Sequence, residues 1–127
     1  MLNNEVNILV VDDTMIMREM LRRVLATLGY NNVLQAEHGE AALKVLEQHD
    51  YQFGVVFMDI VMPCMDGKTA LKKIREKTST LPVVMLTSVA DDESIAECEQ
   101  SGITRYVLKP VNAKSGVETI GGILEQL

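Results

Sequence analysis

The chain has 127 residues, of which 47% are hydrophobic and 24% are charged, and its formal net charge is −6. This length and composition predict one globular domain spanning residues 1–127, large enough to form a core without disulfides. The acidic balance argues against binding to nucleic acid through its phosphates. The longest apolar runs fall far short of the roughly 20 residues of a membrane span, and no secretory signal is visible. Cys64 and Cys98 form no CxxC pair, which favours reduced thiols in a cytoplasmic protein.

Five short apolar runs alternate with five helical patterns along the chain. Strands are predicted over residues 6–11, 32–36, 53–58, 83–86 and 106–108. Helices are predicted over residues 17–28, 40–46, 68–74, 91–101 and 112–127. Gly29 follows the first helix and Gly102 follows the fourth, where glycine commonly ends a helix.

This alternation predicts the fold class. Strands that are apolar throughout are typical of parallel sheets that are buried on both faces. Five strand-then-helix units with right-handed crossovers lead to a three-layer α/β domain, in which a parallel sheet lies between two layers of helices.

Carboxylates, hydroxyls and an ammonium follow the first, third, fourth and fifth predicted strands. In open parallel sheets, ligands bind outside the carboxyl ends of the strands. The fold therefore gathers carboxylates, hydroxyls and an ammonium at one edge. Those that follow the first, third, fourth and fifth strands are, in that order, Asp12 and Asp13, Asp59, Thr87 and Ser88, and Lys109.

The chemistry of this set favours phosphoryl transfer. Three close carboxylates repel one another unless they are protonated or neutralised, and Mg²⁺ is the usual partner of such oxygen ligands. A carboxylate can also attack phosphorus and form an aspartyl phosphate. Lys109 would neutralise the transferred oxygens, and the hydroxyl of Thr87 would donate a hydrogen bond to one of them. The set predicts phosphorylation of the protein itself.

Four segments carry a resemblance to a known family. They are Val10–Asp13 (VVDD), Met58–Gly67 (MDIVMPCMDG), Met85–Ser88 (MLTS) and Tyr106–Pro110 (YVLKP). In this order and spacing they resemble the receiver domain of bacterial response regulators, in particular stand-alone regulators of the CheY kind. The resemblance implies a doubly wound (βα)5 sheet similar to that of flavodoxin, with strand order 2-1-3-4-5.

The resemblance also implies roles for the acidic residues. Asp59 would be the phosphoacceptor. Asp12, Asp13 and Asp59 would bind Mg²⁺ directly or through water, with the main-chain carbonyl of Val61 as a further ligand. The alternative for Asp12 and Asp13 is capping of the first helix, which Asp does well and Thr14 could do equally.

Three further residues would form the switch. Thr87 would be the hydroxyl that moves toward the phosphoryl group, and Lys109 would be the ion partner of that group. Tyr106 would be the aromatic residue whose rotamer follows Thr87, although a half-buried core tyrosine remains the alternative. Of the two adjacent hydroxyls, Thr87 is favoured over Ser88 for this role.

The function implied is a phosphorylation-dependent signalling switch. A histidine kinase would donate the phosphoryl group, and a downstream protein would bind the face formed by the fourth helix, fifth strand and fifth helix. The protein would be no enzyme apart from catalysing its own phosphorylation and dephosphorylation. It would be a monomer, with dimerisation on phosphorylation as the alternative. The competing interpretations are a receiver cut from a longer regulator, a receiver that no longer takes phosphate, and a small Mg²⁺-dependent phosphatase.

Two helices are unusual in composition. The fourth carries five acids and no base, which is either a solvated face or a surface that selects the partner. The last carries Gly116, Gly121 and Gly122. Because glycine weakens a helix interior, that helix is either frayed or closely packed against a neighbour.

Overall fold

The computed structural model describes residues 2–127, and within them five strands alternate with five helices. The strands are β1 (Ile8–Val11), β2 (Val33–Ala36), β3 (Val55–Met58), β4 (Val83–Thr87) and β5 (Arg105–Leu108). The helices are α1 (Met15–Thr27), α2 (Gly39–Gln48), α3 (Gly67–Lys77), α4 (Asp92–Ser101) and α5 (Ala113–Glu125). The predicted alternation is confirmed.

The five strands form one sheet in the order β2-β1-β3-β4-β5, and every neighbouring pair is parallel. This confirms the predicted three-layer fold and its strand order. In residues 2–127, no helix has both the length and the apolar composition needed to span a membrane.

Each face of the sheet has its own core, because successive side chains of a strand point to opposite faces. In β1, Ile8 and Val10 pack with apolar residues of α1 and α5. Leu9 and Val11 pack on the other face with residues of α2, α3 and α4. The sheet is thus covered on both sides, which explains why β1, β3 and β4 are buried along their whole lengths.

Several boundaries differ from the predicted ones for local reasons. β1 begins only at Ile8, because the amide of Val6 donates to the carbonyl of Asn3 in a turn. Asp91 and Asn112, which the periodicity places inside helices, are N-caps instead. Their side chains accept hydrogen bonds from the amides of Ser94 and Ser115, which have no acceptor within the helix.

The glycines of α5 allow close packing against α1. A Cβ on Gly116 would lie 3.0 Å from Cγ2 of Val24, and one on Gly121 would lie 3.2 Å from Cδ2 of Leu28. A Cβ on Gly122 would meet nothing within 4 Å. The helix is continuous and begins with a capping box at Asn112. Of the two interpretations of this helix, close packing is therefore the one that fits Gly116 and Gly121.

Candidate functional site

The predicted site residues meet at the carboxyl edge of the sheet. Asp12 follows β1 and Asp59 follows β3, and they lie side by side because the preceding residues, Val11 and Met58, are paired in register. Thr87 is the last residue of β4, which extends one residue further than predicted, and Lys109 follows β5. Parallel pairing alone brings these four side chains to one edge.

Three carboxylates cluster there. Asp12, Asp13 and Asp59 each place a carboxylate oxygen within 4.8 Å of the others. Asp12 and Asp59 are buried, whereas Asp13 is exposed. The cluster is therefore open to solvent on the side of Asp13.

The ammonium of Lys109 bridges the two buried carboxylates. Its Nζ donates to Oδ2 of Asp12 at 2.8 Å and to Oδ2 of Asp59 at 2.9 Å. Burial lowers the pKa of Lys109, but the hydrogen bonds and charges of the two carboxylates outweigh this effect and raise the pKa above its usual value. Lys109 thus offsets part of the repulsion within the acidic cluster before any metal binds.

The other oxygens of these carboxylates are held by the adjacent loops. Oδ1 of Asp12 accepts from the amide of Thr14 at 2.9 Å and from its hydroxyl at 3.0 Å. Oδ1 of Asp59 accepts from the amide of Ile60 at 2.7 Å. The N-cap of α1 is Thr14, whose side chain makes no cap hydrogen bond. Neither Asp12 nor Asp13 is therefore the N-cap of α1, and the capping alternative is wrong.

Thr87 and Tyr106 are connected through the main chain of Val89. The hydroxyl of Thr87 accepts from the amide of Val89 at 3.3 Å, and the hydroxyl of Tyr106 donates to the carbonyl of Val89 at 2.6 Å. Thr87 is fully buried, whereas Ser88 is exposed. Burial and nearby acidic groups raise the pKa of Tyr106 to about 12. The two predicted switch residues thus share one contact, a link that the sequence did not indicate.

Val61 lies two positions after Asp59, in the loop that leads to α3, and the residue is 64% exposed. The exposure fits a residue at the open edge of the site, and the role of its carbonyl as a ligand stays a prediction. The peptide bond between Lys109 and Pro110 is cis.

The surroundings of the acidic edge include contacts that sequence reasoning missed. Nη1 of Arg18 donates to the main-chain carbonyl of Asp12 at 2.7 Å, and its Nε donates to Oε1 of Gln35 at 3.2 Å. Gly67, the first residue of α3, donates its amide to the carbonyl of Ile60 at 2.8 Å. No spacing in the sequence signals these contacts, because they depend on the path of the loops.

The acids of α4 are only partly paired. Oε2 of Glu97 lies 3.3 Å from Nζ of Lys68 on α3. Asp91 caps the helix through the amide of Ser94, and this hydrogen bond lowers the pKa of Asp91. The acids that remain exposed on the helix are Asp92, Glu93 and Glu99.

The comparisons with known proteins agree with this geometry. Residues 8–121 match the family model described as the response regulator receiver domain. The chain belongs to this family. It is 40% identical to chemotaxis protein CheY-3 of Vibrio cholerae, over 99% of this chain and 97% of that protein.

Solved structures of the receiver family have the same fold. CheY4 of Vibrio cholerae is 30% identical, with a TM-score of 0.82 over 94% of this chain and 99% of that one. CheY in a CheX–CheY–BeF3–Mg²⁺ complex from Borrelia burgdorferi is 26% identical, with a TM-score of 0.85 over 93% of this chain and 88% of that one. This receiver is of the CheY chemotaxis type, and such receivers are signalling proteins of two-component systems.

The acidic cluster fits the metal chemistry of the family. Receiver domains bind Mg²⁺ at an acidic pocket, and here Asp12, Asp13 and Asp59 provide the oxygen ligands that a hard divalent cation prefers. The Lys109 ammonium reduces the negative charge of this set without occupying the exposed side at Asp13. The residues present therefore fit the ion.

Proposed function

We propose that this receiver is a phosphorylation-dependent switch, in which Asp59 accepts a phosphoryl group from the phosphohistidine of a histidine kinase. The observation that carries the proposal is the shared ammonium of Lys109, within 2.9 Å of both Asp12 and Asp59, beside the exposed carboxylate of Asp13. A buried acceptor, a fixed cation and further oxygen ligands are what phosphoryl transfer requires.

The transfer step uses the carboxylate of Asp59 as nucleophile. One of its oxygens attacks phosphorus while the bond between phosphorus and the imidazole nitrogen breaks. The imidazole leaves with the electron pair and takes up a proton from solvent. The hydrogen bond from the amide of Ile60 fixes the orientation of the attacking carboxylate. Asp59 is only 7% exposed. The phosphohistidine therefore reaches its carboxylate from the side of the site that is open to solvent, beside Asp13.

The other residues of the edge stabilise the charge that develops. Asp12, Asp13 and Asp59, with the carbonyl of Val61, would hold Mg²⁺, which when bound offsets the charge of the carboxylates and of the transferred oxygens.

Lys109 and Thr87 act on the transferred group itself. The ammonium of Lys109 exchanges its hydrogen bond with the carboxylate of Asp59 for one to a phosphoryl oxygen. The hydroxyl of Thr87 donates to a second phosphoryl oxygen. The same edge supports hydrolysis of the phosphorylated residue, so both reactions are catalysed by the receiver itself.

The main chain of Val89 offers the route from phosphorylation to output. When the Thr87 hydroxyl turns toward the phosphoryl group, the amide of Val89 loses its acceptor, and the same residue holds the hydroxyl of Tyr106. With these two hydrogen bonds changed, the loop between β4 and α4 moves to a different conformation. The phosphoryl group shifts an equilibrium between two conformations of the face formed by α4, β5 and α5.

A downstream protein binds that face in this proposal. Exposed Asp92, Glu93 and Glu99 on α4 favour a target with a basic surface. The receiver acts in the cytoplasm as a monomer, and residues 1–127 form a single receiver domain. Sedimentation with and without BeF3 and Mg²⁺ tests whether the protein stays a monomer, since dimerisation on activation is the alternative.

Intact mass after incubation with acetyl phosphate and Mg²⁺ tests the acceptor. We expect one phosphate adduct in the wild type and none in Asp59→Asn. Asp66→Asn is the matched control, because Asp66 lies in the same loop and Asn keeps the oxygen that accepts from Thr69 at 2.8 Å. Absence of the wild-type adduct, or an adduct that survives in Asp59→Asn, would contradict the proposal.

A further inference from the structure

We infer that Arg18 is a positioning residue for the metal site, because it fixes the peptide group between Asp12 and Asp13 and thereby directs the carboxylate of Asp13. The inference rests on the proposed function, in which these residues hold Mg²⁺. Arg18 acts through the main chain and touches neither the ion nor the phosphoryl group.

The carboxylates of the cluster differ in what holds them. Asp12 is held at both oxygens, by Thr14 and by Lys109. Asp59 is held by Ile60 and Lys109. Asp13 is exposed, and within residues 2–127 no hydrogen bond to its carboxylate is formed. With no hydrogen bond to hold the carboxylate itself, the backbone of Asp13 is what fixes the position from which the side chain projects.

Arg18 controls that backbone. The carbonyl that accepts from Nη1 of Arg18 at 2.7 Å belongs to the peptide group whose nitrogen is that of Asp13. On the other side, the amide of Asp12 donates to the carbonyl of Ala36 on β2 at 3.1 Å. The Asp12 main chain is thus held at its N–H by β2 and at its C=O by Arg18, which restrains rotation of the peptide group that joins Asp12 to Asp13. Because this group is planar, the hydrogen bond to its C=O also orients the N–H of Asp13.

The guanidinium is itself held in place. Its Nε donates to Oε1 of Gln35 at 3.2 Å, and Gln35 lies on β2, paired with Val10 of β1. The amide of Arg18 donates to the carbonyl of Thr14 at 3.1 Å, in the first turn of α1. The planar fork of Arg provides two donors in a fixed geometry, so one side chain ties the strand, the acidic loop and the helix together.

Arg18 also brings a permanent positive charge to the acidic edge. The charge and the hydrogen bond have opposite effects on Mg²⁺ affinity. Loss of the positive charge alone would strengthen binding of the cation, whereas loss of the hydrogen bond should weaken it, so weaker binding in a neutral variant reports the hydrogen bond. Arg18→Gln removes the charge and the guanidinium fork and leaves an amide donor on a shorter side chain, whereas Arg18→Lys keeps the charge and an ammonium donor. Arg23→Gln is the matched control, because Arg23 is on the same helix, is exposed, and has Glu19 as its partner at 3.7 Å.

Calorimetric titration of each apo protein with Mg²⁺ tests the inference. Loss of a residue that hydrogen-bonds to a metal ligand commonly lowers metal affinity by about 10–100-fold. For Arg18→Gln we expect the dissociation constant of Mg²⁺ to rise about tenfold. Arg18→Lys is expected between the wild type and Arg18→Gln, and Arg23→Gln within about twofold of the wild type. The amide NMR signal of Asp13 in the metal-free protein should shift in Arg18→Gln and stay in place in Arg23→Gln.

The outcomes separate this inference from the proposed function. Wild-type affinity in Arg18→Gln, an equal loss in Arg23→Gln, or no recovery in Arg18→Lys would overturn the role of Arg18 while leaving Asp59 as acceptor. A wild type that binds Mg²⁺ but takes no phosphate would overturn the proposed function and leave the role of Arg18 standing. A wild type that binds no Mg²⁺ would overturn both.

Discussion

Gly67 lies so close to the main chain of Asp59 that any side chain at position 67 would overlap the carbonyl oxygen of Asp59. Gly67 is the first residue of α3, and it is buried. The start of α3 is therefore packed directly on the residue that we propose as phosphoacceptor. A change at this glycine should act on the site even though the glycine contributes no side chain to it.

We expect Gly67→Ala to lower the free energy of unfolding by about 1–3 kcal/mol, because the new methyl group forces the Asp59 backbone to move. The same movement should slow phosphorylation by acetyl phosphate. Urea unfolding and intact mass measure the two effects. Gly122→Ala is the control: a Cβ there meets nothing within 4 Å, so this variant should lose neither stability nor phosphorylation. If Gly67→Ala matched the wild type in both, the close packing would be of no consequence.

Lys109→Ala should separate metal binding from switching. Without the ammonium, two buried carboxylates lose a shared donor, and we expect the metal-free protein to be destabilised by about 1–3 kcal/mol. Because Mg²⁺ binds the folded state, it should restore much of this loss. We expect Mg²⁺ binding to survive while NMR signals of the α4–β5–α5 face stop responding to phosphorylation. Lys114→Ala serves as control because Lys114 is exposed, and a full response in Lys109→Ala would refute the role assigned to Lys109.

Tyr106 should make stability sensitive to alkaline pH. Its pKa is about 12 in the folded protein against 10.0 as the ordinary value, chiefly because of burial. The unfolded chain therefore loses this proton first, so the stabilisation is complete below pH 10 and is lost as the pH rises to about 12. The urea midpoint of the wild type should fall toward that of Tyr106→Phe over this interval. Tyr51, whose pKa burial also raises, is present in both proteins and cancels. A constant difference would contradict the effect of partial burial on the phenol.

The glycines of α5 provide a matched pair of substitutions. Alanine is preferred over glycine in a helix interior by about 0.8–1 kcal/mol. Gly122→Ala should give that gain in full, because the new methyl group meets nothing. At Gly116 the methyl group would lie 3.0 Å from Val24 and 3.3 Å from Val111, so we expect no gain or a loss of about 1 kcal/mol. Urea unfolding measures the free energy of unfolding of both variants. Equal stabilisation would show that α1 does not constrain α5.

The sequence predicted the fold and the members of the site because both depend on regular structure. The parallel strands end at a shared edge, so residues that directly follow them, such as Asp59 and Lys109, meet whatever the loops do. The contacts of Arg18 and Thr14 depend on loop dihedral angles, which periodicity does not contain. The pairing of Lys68 with Glu97 needed the adjacency of α3 and α4. The predicted β1 and β3 begin two residues too early, because Val6 and Phe53 are as apolar as the strands that follow them.

The charges at the sheet edge determine which ions can complete it. Asp12, Asp13 and Asp59 carry three formal negative charges. The ammonium of Lys109, which contacts two of these carboxylates, offsets one charge and leaves two; Arg18 donates to a main-chain carbonyl rather than to a carboxylate and is not counted. One divalent ion brings these four side chains to neutrality, whereas a monovalent ion leaves them anionic and a trivalent ion makes them cationic. Lys109 therefore sets the valence that the site prefers, and replacing it with a neutral residue should shift that preference toward trivalent ions such as lanthanides.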